Sequence, residues 1–390
     1  MQAPAITPRR AVWTLGVTQL IGYGCTSYLP ATLAKAQAGS LGVSTSVVFG
    51  AYSGGLLISA LLGPSAGRAV DRHGARRPLA LGSVVLTLAL IGMALAQDGV
   101  QLALAWLVLG AGMALALYDI AFAGLVGWFG QDARRSITGV TLIAGFASTI
   151  AWPLSAWMEG SYGWRATALF WAAANLLIAL PLHWTLPRAT QPANTPQAAQ
   201  EGGDAPPEPG AALKMALLAT ALAVMAGVGS VMAAHLPLLL IGLGASTTAA
   251  IAAGMLVGPA QVVARLGEFF LVRRIHPLVS ARVAVAMFPA GAGLLLALGP
   301  LAAAPFAALY GAGNGLFTIV RGTLPLVLFG SRNYGRRLGT LSVPSRLIGA
   351  AAPLIFALGM ERSAQMSLWV LILACVGALG CLFALRKPAA

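Results

Sequence analysis

Residues 67–78 read Gly-Arg-Ala-Val-Asp-Arg-His-Gly-Ala-Arg-Arg-Pro, a dense polar patch between two apolar stretches that are each long enough to cross a bilayer. The chemistry is that of a short hairpin loop. Gly67 lets backbones approach closely, and Gly74 can take the positive φ of a tight reversal. The arginines hold the loop on the cytoplasmic side. Asp71 is the one acid among these bases. It is placed either to pair locally or to sit at a helix N-terminus, where the dipole favours a carboxylate.

Composition agrees with this reading. Apolar residues make up 58% of the chain and charged residues 9%, where a soluble domain carries about 25% charged residues. The 390 residues are therefore one integral membrane protein and not a series of soluble domains. Apolar runs of roughly 18–25 residues recur between short polar breaks, the length a helix needs to span the hydrocarbon. They predict twelve helical spans: 12–34, 46–66, 79–97, 101–125, 137–158, 165–186, 212–241, 246–272, 280–299, 302–329, 338–360 and 364–385. Arg9-Arg10 and Ala34-Lys35-Ala36 give the first run the flanks of a signal peptide. The run is longer than an h-region of about 7–15 residues and is expected to be retained.

The formal charge of +14 would suit nucleic acid, but its placement argues for topology. With a cytoplasmic N-terminus, eighteen of the 24 arginines and lysines fall in inside loops. Lys35, Arg165 and Arg362 fall outside, and Arg265, Arg321 and Arg346 lie within spans. That bias places both termini in the cytoplasm.

Residues 187–211 are rich in Pro, Gln, Gly and acids, with no apolar periodicity. They are expected to form a flexible cytoplasmic linker between two six-helix bundles, 1–186 and 212–390. The halves repeat each other. Leu41-Gly42 recurs as Leu243-Gly244, Gly63-Pro64 as Gly258-Pro259, and Gly110-Ala111-Gly112 as Gly311-Ala312-Gly313. Arg134-Arg135 recurs as Arg336-Arg337, and Pro153-Leu154 as Pro353-Leu354, all at offsets close to 200.

The spacing G-x-x-x-D-R-x-G-x-R-R from Gly67 to Arg77 resembles the signature loop between the second and third helices of the major facilitator superfamily. Gly163-Trp164-Arg165, before span 6, is similar to a Gly-Trp-Arg found in many members. In the second half the equivalent of Asp71 is missing. The resemblance implies an all-α membrane protein of two pseudo-symmetric six-helix bundles. It places spans 1, 4, 7 and 10 around a central cavity, with the substrate between the halves near mid-membrane. It also implies that Gly67, Asp71, Arg72, Gly74, Arg76 and Arg77 act in conformational gating. Span 5 lacks the G-P-x-x-G-G ending of multidrug antiporters, and span 1 lacks the motif of monocarboxylate carriers, so no subfamily follows.

A charge within a span is costly and marks a pathway by default. Such residues are Asp119 in span 4, Arg265 and Glu268 in span 8, Arg321 in span 10 and Arg346 in span 11, while spans 3, 9 and 12 carry no charge in their interiors. Helical spacing aligns Asn314, Thr318 and Arg321 on one face, and Gln19, Tyr23 and Thr26 on another. Together with Tyr118, Trp152 and His235 these form the expected substrate-binding set, although polar stripes also serve as glue between packed helices. Asp119 is the expected proton carrier, with Glu268 behind it. A static pair between Asp119 and Arg321 is the other reading, and protonation could break that pair. Arg321 suits an anionic group, because guanidinium grips carboxylate or phosphate in a fork. Arg265 and Glu268, three apart on one helix, are expected to neutralise each other. Arg346 is a gate contact.

Three cysteines and four histidines show no metal-ligand spacing, and there is no P-loop, so neither metal nor ATP is expected. The sequence predicts a monomeric, non-enzymatic secondary transporter without cofactors in a bacterial cytoplasmic (inner) membrane. Its expected partners are a small organic anion, protons and the bilayer, and no nucleic acid. Proton-driven efflux of drugs or metalloids is the alternative, and a non-transporting sensor a remote one.

Overall fold

The computed structural model describes residues 6–187, 210–271 and 275–385, together with all side chains there except those of Ser148, Trp152 and Leu271. The expected linker, most of 187–211, lies outside the described residues, as do the topological arginines Arg188, Arg273, Arg274 and Arg386 and Lys387. Among the described residues the secondary structure is helical throughout, with no strand.

The first span is split into α1 (Pro8–Gly24) and α2 (Leu29–Leu41). Pro30 has no N–H to give to the Thr26 carbonyl, and Leu29 N–H takes it instead at 3.3 Å, which breaks the ladder. Spans 2 and 3 are α3 (Thr45–His73) and α4 (Arg76–Leu95). Span 4 is also interrupted: α5 (Gly99–Ala116) and α6 (Tyr118–Phe129) are separated by Leu117, whose backbone is extended at φ −87° and ψ −173°. Span 5 comprises α7 (Ala133–Ala144) and the first part of α8 (Ala147–Ala174).

Gly163 then leaves the helical region at φ +82°, dividing α8 where spans 5 and 6 were expected to meet. Span 6 runs through a π-helical turn, Asn175–Ala179, into the short α9 (Leu180–Trp184). The turn precedes Pro181, whose missing N–H frees the ladder there.

In the second half span 7 is α10 (Ala211–Gly242), and span 8 is α11 (Thr247–Met255) with α12 (Val257–Leu271). Spans 9 to 12 are α13 (Pro277–Leu298), α14 (Ala303–Phe329), α15 (Tyr334–Met360) and α16 (Ala364–Ala384). Eight helical stretches among the described residues are long and apolar enough to cross a membrane. Gly99–Trp184 holds three of the expected spans, Pro277–Phe329 holds two, and the split first span completes the set of twelve.

Burial is inverted relative to a water-soluble protein. Gln19, Asp119, Arg265 and Glu268 are buried, whereas Leu88, Leu95, Leu373 and Phe383 are exposed. Polar groups turned inward and aliphatic ones outward suit a hydrocarbon solvent.

The chain forms two compact units. The first is Met1–Gln191 with Phe329–Val343, and the second is Pro192–Leu328 with Pro344–Ala390. The start of α15 thus belongs with the first unit, although sequence alone assigned it to the second bundle. Glycines set the helix spacing in the same way in both. A Cβ on Gly110 of α5 would run into the Gly55 carbonyl of α3, and one on Gly311 of α14 would meet the Val257 carbonyl at 2.5 Å. Gly112 lies against Leu86 of α4, and Gly313 lies against the Ala284 carbonyl of α13. The internal repeat is therefore a repeat of packing. By that register Gly55 corresponds to Val257, so Gly63-Pro64 and Gly258-Pro259 stand about two helical turns apart and are not equivalents.

Candidate functional site

Asp71 ends the second span and caps another helix. Its Oδ1 accepts the Gly335 N–H at 2.8 Å, and its Oδ2 accepts the Arg336 N–H at 2.8 Å. These are unpaired donors in the first turn of α15, where the helix dipole favours a carboxylate. Of the two roles open to Asp71, the structure shows the helix N-terminus. The approach depends on glycine. A Cβ on Gly67 would strike the Gly335 carbonyl, and one on Gly339 would strike the Gly63 carbonyl. Two small-xxx-small ridges, Gly63/Gly67 and Gly335/Gly339, cross backbone to backbone. Gly74 has φ +79° and ends α3, as its place in the loop predicts. Arg72 and Arg77 are exposed, and the Arg76 guanidinium lies 4.8 Å from the centre of the Trp184 ring.

Asp119 occupies the first turn of α6, directly after the break in span 4. It is 5% exposed, and its Oδ2 accepts a hydrogen bond from the Ser342 hydroxyl at 2.7 Å. The carbonyl of Ala116, on the other side of the break, accepts from Gln19 Nε2 at 2.7 Å. Tyr23 and Tyr118 come together with ring centroids 4.6 Å apart, and Tyr118 stacks on Phe122 at 4.9 Å. Thr26, also expected on this face, donates to the Gly22 carbonyl one turn back at 2.6 Å. Trp152 lies within α8, and its side chain is outside the described residues.

The second unit contains a separate constellation. Arg265 of α12 is 4% exposed. Its Nη2 donates to Gln261 Oε1 at 3.0 Å, and its Nε lies 3.3 Å from Thr318 Oγ1 and 3.4 Å from the Gly315 carbonyl. Nη1 is buried and makes no hydrogen bond. Glu268 accepts from the Ser280 hydroxyl of α13, at 2.9 Å to Oε2 and 3.1 Å to Oε1. Gly315 lets the α14 backbone approach α12 so closely that a Cβ would sit 2.6 Å from the Gln261 carbonyl. That approach puts acceptors from α14 within reach of Arg265.

Asn314 and Arg321 are half-buried on α14, and Arg346 is half-buried on α15. His235 of α10 pairs through Nε2 with the Pro353 carbonyl at 3.1 Å, which ties it to α15. Sequence reasoning did not connect Ser342 to Asp119, and it missed Ser280 altogether. A lone serine in an apolar span carries no signal that names its partner. Among the described residues no three His, Cys, Asp or Glu side chains come together as a metal site.

A family model described as "Major Facilitator Superfamily" matches residues 14–353. Solved structures share the fold, among them the following two. The proton:xylose symporter XylE, bound to 6-bromo-6-deoxy-D-glucose, aligns with a TM-score of 0.76 and 16% identity, over 97% of this chain and 95% of its own. The human organic anion transporter MFSD10 (TETRAN) aligns with a TM-score of 0.70 and 17% identity, over 98% of this chain and 100% of its own. A comparison with curated proteins gives no match.

Proposed function

We propose, from the premise that the chain belongs to the Major Facilitator Superfamily, that it carries a small organic anion across the membrane by alternating access, coupled to protons. The observation that carries the anion is Arg265. A buried guanidinium with an unused donor is costly, by about 1–3 kcal/mol for an unsatisfied group and more when charged. A carboxylate or phosphate offers two acceptors in the geometry of the guanidinium fork. Arg321, on the same helix as Thr318, adds a second cation to that unit. The organic anion transporter among the structural neighbours fits this class of cargo, and the proton:xylose symporter fits the coupling. Asp119, buried and held by Ser342, is the proton carrier of this reading. On this reading both termini lie in the cytoplasm and the chain in a bacterial inner membrane; the cationic loops support the orientation.

The test is thermal unfolding of the purified protein against a panel of organic anions, organic cations and metalloid oxyacids. Ligand at a hundredfold excess over its Kd stabilises by about 2.7 kcal/mol. We expect organic anions to raise the melting temperature of the wild type and to leave Arg265→Gln unmoved. Stabilisation by cations alone would favour drug efflux and overturn the anion.

A further inference from the structure

One feature of the first unit lies apart from the proposed anion and proton groups and includes two arginines of the gating loop. His73 at the end of α3, Arg76 and Arg77 at the start of α4, and Trp184 at the end of α9 line a cavity of about 440 Å³. Among the described residues no carboxylate lines it. The first turn of α4 holds no acid, and Ala75 before it gives no side-chain cap, so its positive end adds to that of the arginines. Trp184 is 52% exposed, and its ring faces the Arg76 guanidinium. Below the cavity the surface turns aliphatic. Leu81, Leu88 and Leu95 follow Arg77 along one exposed face of α4, at intervals of four and then seven residues. Leu177 is exposed in the span that ends at Trp184.

We propose that this cavity binds the phosphate of an anionic phospholipid whose acyl chains lie along the Leu81–Leu88–Leu95 face. Two guanidiniums suit a phosphodiester, an exposed tryptophan suits the headgroup boundary, and basic pockets between membrane helices take such headgroups. A soluble phosphate would satisfy the arginines but would make no use of the aliphatic track. That difference selects the lipid.

The test is native mass spectrometry of the full-length protein released from detergent with phosphatidylglycerol or with phosphatidylcholine of identical chains. The wild type should retain one phosphatidylglycerol in preference to phosphatidylcholine, and inorganic phosphate in large excess should not displace it. Each arginine near a membrane surface contributes about 1 kcal/mol, roughly fivefold. Arg77→Gln, at an exposed position, should therefore lower retention about fivefold, and Arg76→Gln/Arg77→Gln about 25-fold. Unchanged elution in size-exclusion chromatography will show that the variants are folded. Equal retention of both lipids, or no loss in folded variants, would overturn the site. Displacement by inorganic phosphate would overturn the lipid and leave a soluble anion.

Discussion

At Gly67 a single hydrogen atom decides whether two helices can meet. A methyl group there is driven into the Gly335 carbonyl, which is backbone and cannot rotate away. Overpacking of this kind costs about 1–3 kcal/mol, and here it would also pull the α15 N-terminus from Asp71. Gly67→Ala should accordingly lower the melting temperature in detergent. Gly258→Ala is the matched control, since a Cβ on Gly258 meets nothing within 4 Å and alanine is the better helix former. It should melt at or above the wild-type temperature, and equal melting of both variants would refute the backbone contact. Arg265 raises a question of shape as well as charge. Arg265→Lys keeps the cation and loses the fork that reaches Gln261 and Thr318, so ligand affinity should fall without vanishing. Calorimetric titration with the anion found by thermal screening reads that difference.

Among the elements, the fourth span shows best where sequence pattern stops. Its length and apolarity predicted one continuous helix over 101–125, and neither Pro nor Gly stands at Leu117 to announce a break. Beside the break stands Gln19, 97 positions before Ala116 in the chain, whose amide donates to the Ala116 carbonyl. Long-range partners of this kind leave no periodic trace. By contrast, the first-span break and the π-helical turn lie at Pro30 and Pro181, where the chain itself removes a donor. Arg265 is a related case. Spacing on one helix shows which groups can meet, while the close approach at Gly315 brings the Gly315 carbonyl and Thr318 of another helix to Arg265. Removing the Gln19 amide tests the element directly. Gln19→Leu would leave the Ala116 carbonyl buried and unpaired, at about 1–3 kcal/mol. Hydrogen exchange should then speed up for the amides flanking Leu117 while those of α4 keep their protection. Unchanged exchange at the break would show that Gln19 does not hold it.

For the whole molecule, transport requires the free energy of one ligand to depend on the other. The proposed proton group, Asp119, belongs to the first unit, and the proposed anion group, Arg265, to the second. Coupling between two such sites is reciprocal: if protonation raises anion affinity, anion binding raises proton affinity by the same factor. Adding substrate to weakly buffered protein should therefore change the pH of the medium in the wild type. Asp119→Asn, which is permanently neutral, should abolish that change while the anion still binds. In proteoliposomes the same variant should lose accumulation driven by a pH gradient and keep counterflow exchange, which needs no net proton movement. Arg265→Gln should lose both activities, because no anion is held. If Asp119→Asn accumulates substrate down a pH gradient like the wild type, the proton does not pass through Asp119. Glu268, buried against Ser280, would then be the remaining carrier, and Glu268→Gln the variant in which gradient-driven uptake must fail.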